Sequence, residues 1–219
     1  MRKIFIADSI RNACPHIQLA CLECLVNVTY SDTKLLNIMD EEMKKISDSL
    51  EIENIGRLPE IFAAREAYKA LGKDPLRYRL SAESLLRRVV KEKGLYRVNN
   101  VVDILNLISI RSGYSIGGYD SDKIKGEIIC EKGRENVPYS GIGRGILNIS
   151  SLPVLSDEDG HFGTPTSDSE RTMVTSGTRK FLMVFFNFSS SPNIDEWINS
   201  SEQLLKTYAF AKEFEHTVF

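Results

Sequence analysis

The segment Thr166 to Thr172, TSDSERT, holds the densest set of reactive side chains in this sequence. In an extended backbone Asp168 and Glu170 point to one face and Arg171 to the other, because side chains alternate along a strand. Two carboxylates that close together raise the pKa of one of them. That group could then act as a general base or hold an amino group. The alternatives are a surface loop or a helix cap, since Ser167 and Glu170 fit the spacing of a capping box.

A second polar stretch, Asn99 to Asp120, predicts one wall of a pocket. A helix here carries Asp103, Asn106 and Ser109 at near-helical spacing among bulky apolar residues, and it stops at Gly113. Such a polar stripe within an apolar helix is a usual lining for a ligand pocket. Asn106 is the candidate for contact with a ligand, whereas Asp103 is the better candidate for tying the helix to a neighbouring loop.

The glycine pair that follows this helix predicts a tight turn. Gly117 and Gly118 permit backbone conformations that a β-branched residue could not adopt, and they precede Tyr119 and Asp120. We expect these last two residues at the mouth of the pocket. The alternative is a packed aromatic residue followed by a turn-forming aspartate.

The helices and strands that must position these residues are unevenly distributed along the chain. Helices dominate its first half and short strands its second, without regular alternation, which predicts the α+β class. The predicted helices cover residues 35–50, 61–71, 84–91, 101–112 and, after Ser191 and Pro192, 194–214. The predicted strands cover residues 17–28, 125–130, 152–155 and 172–188. We expect one domain, 1–219, in which residues 1–58 form a strand-helix part and residues 59–219 the core.

Charge is concentrated in one part of the chain. The net charge is −2, which gives no general attraction to nucleic acid, and DNA is not an expected partner. The span from Arg65 to Arg97 nevertheless has ten basic and four acidic residues. Arg77, Arg79, Arg87 and Arg88 are the candidates for contact with RNA phosphates. The alternative is a solvated helix face whose cations pair with acids elsewhere.

Composition indicates an ordinary soluble protein. Hydrophobic residues make up 42% and charged residues 26% of the 219 residues. The longest apolar run, 181–186, is too short to span a bilayer, and the apolar segment 4–7 is too short for a signal peptide. We therefore expect a cytoplasmic protein without a membrane partner.

The four cysteines predict no disulfide framework, metal site or cofactor. Cys21 and Cys24 form a C-x-x-C pair, but no second pair of ligands accompanies it, and no helix start follows it. We interpret both as small apolar residues of a buried strand.

The order of several short motifs along residues 61–188 resembles a known family. V-V-D-x-x-N starts at Val101, G-x-x-I-x-x-Y-D at Gly113, I-x-G-x-I at Ile124, G-x-E at Gly133 and T-x-x-x-L at Thr178. This order resembles the editing module of the phenylalanyl-tRNA synthetase beta subunit, formed by its third and fourth structural domains. It is more similar still to the freestanding relatives of that module, in which a segment like TSDSERT is expected.

Three positions depart from the family pattern. The module has a threonine before the asparagine of its first motif, a histidine before the aromatic-aspartate pair and a glutamate in its late strand. This chain has Leu105, Gly117 and Met183 there. The resemblance therefore implies the module's fold, whereas the chemistry of tyrosyl-tRNA proofreading lacks three of its polar groups.

The resemblance implies hydrolysis of mischarged aminoacyl-tRNA in trans. Asp168 or Glu170 would hold the substrate ammonium or the attacking water, and Arg171 a carboxylate or a phosphate. The other substrate-binding candidates are Asn106, Tyr119, Asp120, Thr166, Ser167 and Thr172. The alternative is a non-catalytic module that binds tRNA, an amino acid or a nucleotide-like small molecule in the same pocket.

Overall fold

The computed structural model describes residues 2–189 and 193–219, which form helices and strands of the predicted α+β class. The helices are α1 (Asp8–Arg11), α2 (Thr33–Ser49), α3 (Pro59–Leu71), α4 (Ser81–Val90), α5 (Asn100–Ser112) and α6 (Ile194–Tyr208). The strands are β1 (Ile4–Ile6), β2 (Gln18–Leu25), β3 (Ser115–Asp120), β4 (Ile128–Lys132), β5 (Ser140–Gly141), β6 (Gly145–Ile146), β7 (Pro153–Asp157), β8 (Gly160–Gly163), β9 (Lys180–Asn187) and β10 (Lys212–Val218).

The strands form two four-stranded sheets and a small hairpin. One sheet has the order β1-β4-β7-β8, with β1 parallel to β4. The other has the order β10-β2-β9-β3 and is antiparallel throughout, and β5 pairs with β6. Strand β2, near the start of the chain, thus lies between β10 and β9, which both come from the second half of the chain.

Strand β9 forms the centre of the core, as its sequence indicates. Residues 181–187 of this strand are buried, and β2 and β3 pair with its two edges. A strand buried on both faces reads as a continuous apolar run rather than as an alternation. Helix α5 packs against α6, α4 and β3, and this packing places the polar residues of α5 near the end of β3.

Helices α3 and α5 end where the sequence predicts. Helix α3 ends at Gly72 and α5 at Gly113, both in the left-handed conformation that glycine adopts without steric cost. The side chain of Asn99 caps α5 by accepting a hydrogen bond from the Val102 backbone N–H at 2.9 Å. Local backbone chemistry alone fixes these boundaries.

Two predicted strands begin three or more residues later than expected. The strand predicted over residues 125–130 begins at Ile128, and the strand predicted over 172–188 begins at Lys180. Residues 175–178 instead form a turn in which the Thr178 backbone N–H donates to the Thr175 carbonyl at 3.0 Å. Threonine favours strands by propensity, but no strand within residues 2–189 and 193–219 pairs with this segment.

The last predicted helix is also too long. Helix α6 ends at Tyr208, and β10 replaces its predicted final turns; Ser191 and Pro192 lie outside the described residues. Phe210 and Glu213 have positive φ angles of 50° and 58°, which break the helix. The open edge of β2 offers backbone partners to this segment, and that long-range pairing outweighs the local helical pattern.

The four cysteines are free and buried, as interpreted for the C-x-x-C pair. Burial raises the pKa of the Cys24 and Cys130 thiols to about 12, so both stay protonated at neutral pH. Among the helices of the described residues, none has the length and apolar character needed to cross a membrane.

Candidate functional site

A cavity of about 360 Å³ lies between α4, α5, the end of β3 and the loops on either side of a short 3₁₀ turn at Glu170–Thr172. Most of its wall is apolar, with one carboxylate and several hydroxyls among the hydrocarbon side chains. The cavity is lined by Ser81, Ser84, Leu85, Arg88, Tyr96, Val98, Val102, Leu105, Asn106, Ile116, Gly118, Ile142, Arg144, Thr164, Thr166, Ser167, Asp168, Met173 and Val174. An apolar pocket with a few convergent polar groups is the usual form of a small-molecule site.

Asp168 is the carboxylate of this cavity, and two hydrogen bonds fix it. The Tyr119 hydroxyl donates to Oδ1 at 2.7 Å, and the Gly118 backbone N–H donates to Oδ2 at 3.2 Å. Burial raises the pKa of Asp168 to about 7, although hydrogen bonding from the Tyr119 side chain and from the Gly118 and Thr164 backbones favours the ionised form. Near neutral pH the group can therefore both take up and release a proton.

Tyr119 supports Asp168 from inside the core. Its ring is fully buried and meets the Phe162 ring edge to face, with 4.9 Å between the centroids. Its hydroxyl fits between two glycines: a Cβ atom would lie 1.9 Å from it at Gly117 and 2.2 Å from it at Gly163. Both glycines therefore provide the space in which Tyr119 reaches Asp168.

The prediction of a tight turn at the glycine pair is wrong. Gly117 and Gly118 lie within β3, opposite Val184 and Met183 of β9. A Cβ atom at Gly118 would lie 2.5 Å from Leu105 Cδ1. Glycine is needed at these two positions because neighbouring side chains occupy the space that a Cβ atom would fill, and not because the chain turns.

We expect Gly163→Ala to displace the Tyr119 ring and to destabilise the protein by roughly 2 kcal/mol, since overpacking a full core forces neighbouring groups to move. Tyrosine absorbance in the near ultraviolet and urea unfolding measure the two effects. Gly177→Ala is the matched control, because its nearest neighbour is 3.6 Å from the added Cβ. Equal stability of the two variants would contradict the fit described for Tyr119.

The loop that carries Asp168 is held rigidly. The Thr164 hydroxyl accepts from the Thr166 and Ser167 backbone N–H groups at 3.1 and 3.0 Å. The buried Tyr68 hydroxyl lies 2.9 Å from Thr166 Oγ1, and the Tyr139 hydroxyl donates to the Ser167 carbonyl at 2.7 Å. The site is therefore ordered before any ligand arrives, which lowers the cost of binding.

The expected pairing of Asp168 with Glu170 on one face is wrong. Residues Glu170–Thr172 form a 3₁₀ turn, which Ser169 caps by accepting from the Arg171 backbone N–H at 3.2 Å. Glu170 is exposed outside the cavity, and Thr172 is buried in the core. Burial, rather than a second carboxylate, raises the pKa of Asp168.

Arg171 is also directed away from the cavity. Its guanidinium donates to both carboxylate oxygens of Asp157, at 2.7 and 3.2 Å, and to the Gly160 carbonyl at 3.0 Å. This bidentate pair joins the 3₁₀ turn to the turn between β7 and β8. The structure therefore gives Arg171 a role in holding the loop.

Tyr119 and Asp120 do not lie at the cavity mouth. Asp120 is buried, accepts a hydrogen bond from Thr178 Oγ1 at 2.8 Å and caps the short turn at Ser121–Lys123. The structure matches the alternative interpretation, a packed aromatic residue and a turn-forming aspartate. Thr166, Ser167 and Asn106, by contrast, all line the cavity.

Two of the four arginines proposed to contact RNA form ion pairs with a buried carboxylate. Glu83 has no exposed surface; Arg87 Nε donates to its Oε1 at 2.7 Å, and Arg79 Nε lies 3.2 Å from the same oxygen. Arg65 adds a bidentate pair at 2.7 and 3.0 Å. Arg77 lies beside the Tyr78 ring, and Arg88 lines the cavity.

The sequence patterns missed part of the lining. Ser81, Ser84, Leu85 and Arg88 lie on one face of α4 at spacings of three, four and seven residues, a signal that a search for a polar helical stripe would detect. Tyr96, Val98 and Arg144 come from loops. Nothing in local sequence indicates where a loop side chain will lie.

The three departures from the family pattern lie in different environments. Leu105 lines the cavity and presents hydrocarbon to it, whereas Gly117 faces Tyr119 in the core. Met183 is fully buried in β9 between Leu22 and Gly118. Of these three positions, only Leu105 belongs to the cavity wall.

Comparison with known proteins supports the resemblance seen in the motifs. The model of the B3/4 domain family matches residues 63–200. The beta subunits of phenylalanine–tRNA ligase from Bartonella quintana (strain Toulouse) and Bartonella henselae are 33% and 32% identical to this chain over 92 residues. Each match covers 41% of this chain and 11% of the relative, so the chain matches about a tenth of the length of these relatives.

One solved structure was also compared with this chain. An N-terminal fragment of the phenylalanyl-tRNA synthetase beta subunit from Pyrococcus horikoshii is 13% identical, with a TM-score of 0.47. The alignment covers 99% of this chain and 50% of that one. The family match alone extends over more than half of the chain and includes the helices and loops that line the cavity. The predicted resemblance to a module of the phenylalanyl-tRNA synthetase beta subunit is confirmed, and the chain belongs to the B3/4 domain family.

Proposed function

We propose that the cavity binds an amino acid esterified to tRNA and hydrolyses that ester, acting in the cytoplasm. The observation that carries the proposal is Asp168, a carboxylate with a pKa of about 7 that hydrogen bonds fix within a largely apolar cavity. The names of the curated relatives, both tRNA ligase subunits, support tRNA as the carrier of the amino acid.

Hydrolysis of an activated ester needs only a positioned water and donors for the developing oxyanion. In this proposal Asp168 accepts a proton from water while the water oxygen attacks the ester carbonyl. The bond between the carbonyl carbon and the ribose oxygen then breaks, and the proton passes to that oxygen. A general base with a pKa near the working pH suits this step.

The remaining walls suit the amino acid. Leu85, Val102 and Ile116 offer an apolar surface to its side chain, and the hydroxyls of Thr166 and Ser167 lie beside Asp168 as hydrogen-bonding groups. Glu170, Arg171 and Thr172 lie outside the lining and take no part in this proposal. Asn106 supplies a side-chain amide to the lining, and this amide can bind a polar group of the ligand.

The test is a panel of correctly and incorrectly charged tRNAs incubated with the purified protein, with loss of the aminoacyl ester as the readout. Turnover of one charged species would support hydrolysis and name the amino acid. Glu170→Ala, which removes an exposed carboxylate outside the cavity, is the control and should retain full activity. A flat result across the panel would overturn hydrolysis.

A second candidate is a binding module without catalysis, for tRNA, an amino acid or a nucleotide-like molecule. Leu105 favours it, because hydrocarbon lines the cavity where the resemblance leads us to expect a polar group. Salt dependence separates the ligands: binding of tRNA phosphates by exposed cations such as Arg77 weakens steeply with ionic strength, whereas binding of a free amino acid does not.

A further inference from the structure

An exposed aromatic ring stands at the edge of the cavity. Tyr96 lines the cavity, yet 65% of its surface is exposed. The Arg88 guanidinium carbon lies 4.1 Å from the centroid of its ring, and Arg88 Nη1 donates to the Tyr96 hydroxyl at 3.2 Å. One face of the ring therefore rests on a cation, and the exposure leaves other parts of the ring open to solvent.

This ring is held in place before any ligand binds. Arg88 Nε donates to the Gly94 carbonyl at 3.1 Å and thereby anchors the loop that carries Tyr96. The Val98 backbone N–H donates to Asp103 Oδ1 at 3.0 Å, which attaches the same loop to α5. An exposed aromatic residue that is already ordered loses little entropy when another ring stacks on it.

We infer that Tyr96 and Arg88 form a stacking platform for the nucleobase of the ligand, and this inference rests on the proposed function. A cavity of about 360 Å³ is at the small end of ligand pockets, with room for an aminoacyl group. The nucleoside that carries the ester then remains at the mouth, where Tyr96 lies. Every base has a face that can stack on an aromatic side chain.

The charges at the mouth fit the same ligand. Arg144 lines the cavity from the β5–β6 hairpin, and its guanidinium has no hydrogen bond or ion pair with any residue of the ranges 2–189 and 193–219. Arg88 adds a second positive charge beneath the Tyr96 ring. Both suit the phosphate that joins a terminal nucleoside to the rest of an RNA chain.

The test measures binding of adenosine and of AMP by NMR titration, independently of any hydrolysis. We expect Tyr96→Ala to weaken the binding of both about tenfold and Tyr96→Phe, which keeps the ring, to change it less than about twofold. Tyr30→Ala is the matched control, because Tyr30 is 90% exposed and does not line the cavity. Absence of adenosine binding by the unmodified protein, or equal binding by Tyr96→Ala, would overturn the platform.

The kinetic arm separates this inference from the proposed function. For a charged tRNA that the protein cleaves, Tyr96→Ala should raise KM about tenfold and leave kcat unchanged, because stacking is the same in the ground state and the transition state. An unchanged KM would overturn the platform while hydrolysis stands. Adenosine binding that depends on Tyr96, without turnover of any charged tRNA, would support the platform and overturn hydrolysis.

Discussion

Asp168→Asn is expected to reduce ester hydrolysis by two to four orders of magnitude, roughly the effect of losing a general base, while raising the stability of the protein at neutral pH. Asparagine has nearly the same shape, and its amide can still accept the hydrogen bond from the Gly118 backbone N–H. It cannot accept a proton from water. A buried charge is removed at the same time, so activity and stability move in opposite directions.

The raised pKa of Asp168 determines how the stability of the protein changes with pH. The pKa of Asp168 is raised from 3.8 to about 7, so the folded state holds its proton more tightly than the unfolded state. The unmodified protein therefore loses stability as the pH rises from about 4 to about 7 and stays level above. Because part of the carboxylate faces the open cavity, we expect Asp168→Asn to be more stable by roughly 2 kcal/mol above pH 7 and equal near pH 3.

The pH dependence of hydrolysis follows from the same carboxylate. The rate with the unmodified protein should rise about tenfold per pH unit below 7 and level off above, since the ionised form is the base. Thermal unfolding across pH and a rate profile on one charged tRNA measure both. Glu170→Gln is the control and should alter neither profile. A fully active Asp168→Asn variant would exclude Asp168 as the base.

Glu83→Ala is expected to destabilise the protein by about 3 to 5 kcal/mol, the usual cost of removing one partner of a buried ion pair. Burial alone would raise the pKa of Glu83, but hydrogen bonds from Arg65 and Arg87 hold it below its ordinary value. Without this carboxylate three guanidinium groups repel one another beside the core. Urea unfolding monitored by circular dichroism measures the loss.

A matched control separates the buried cluster from surface electrostatics. Glu66→Ala removes an exposed glutamate that pairs with Lys69 at 2.7 Å, three residues away. We expect that change to cost less than about 1 kcal/mol, because solvent screens the pair. Equal losses in the two variants would show that the arginines around Glu83 are solvated cations, free to contact RNA.

Local chemistry made several features readable from the sequence. Gly72 and Gly113 end helices because only a residue without a Cβ atom adopts the left-handed conformation easily. The apolar run of β9 predicts a strand covered on both faces, and β9 is one. The sequence predicts that Asn106 of α5 and Asp168 of the TSDSERT segment serve one substrate site, and both residues line the cavity.

Non-local contacts decided the rest. The sequence by itself determined the ends of α3 and α5, the buried strand β9 and the polar segment that carries Asp168, because each depends on residues within a few positions. Only the tertiary structure decided that Tyr119 and Gly118 donate hydrogen bonds to Asp168 and that Arg171 pairs with Asp157. It also decided that residues 212–218 form a strand, because they pair with β2. Those partners are 14 to nearly 200 positions away, and a side chain pairs with whichever group the fold brings within hydrogen-bonding distance.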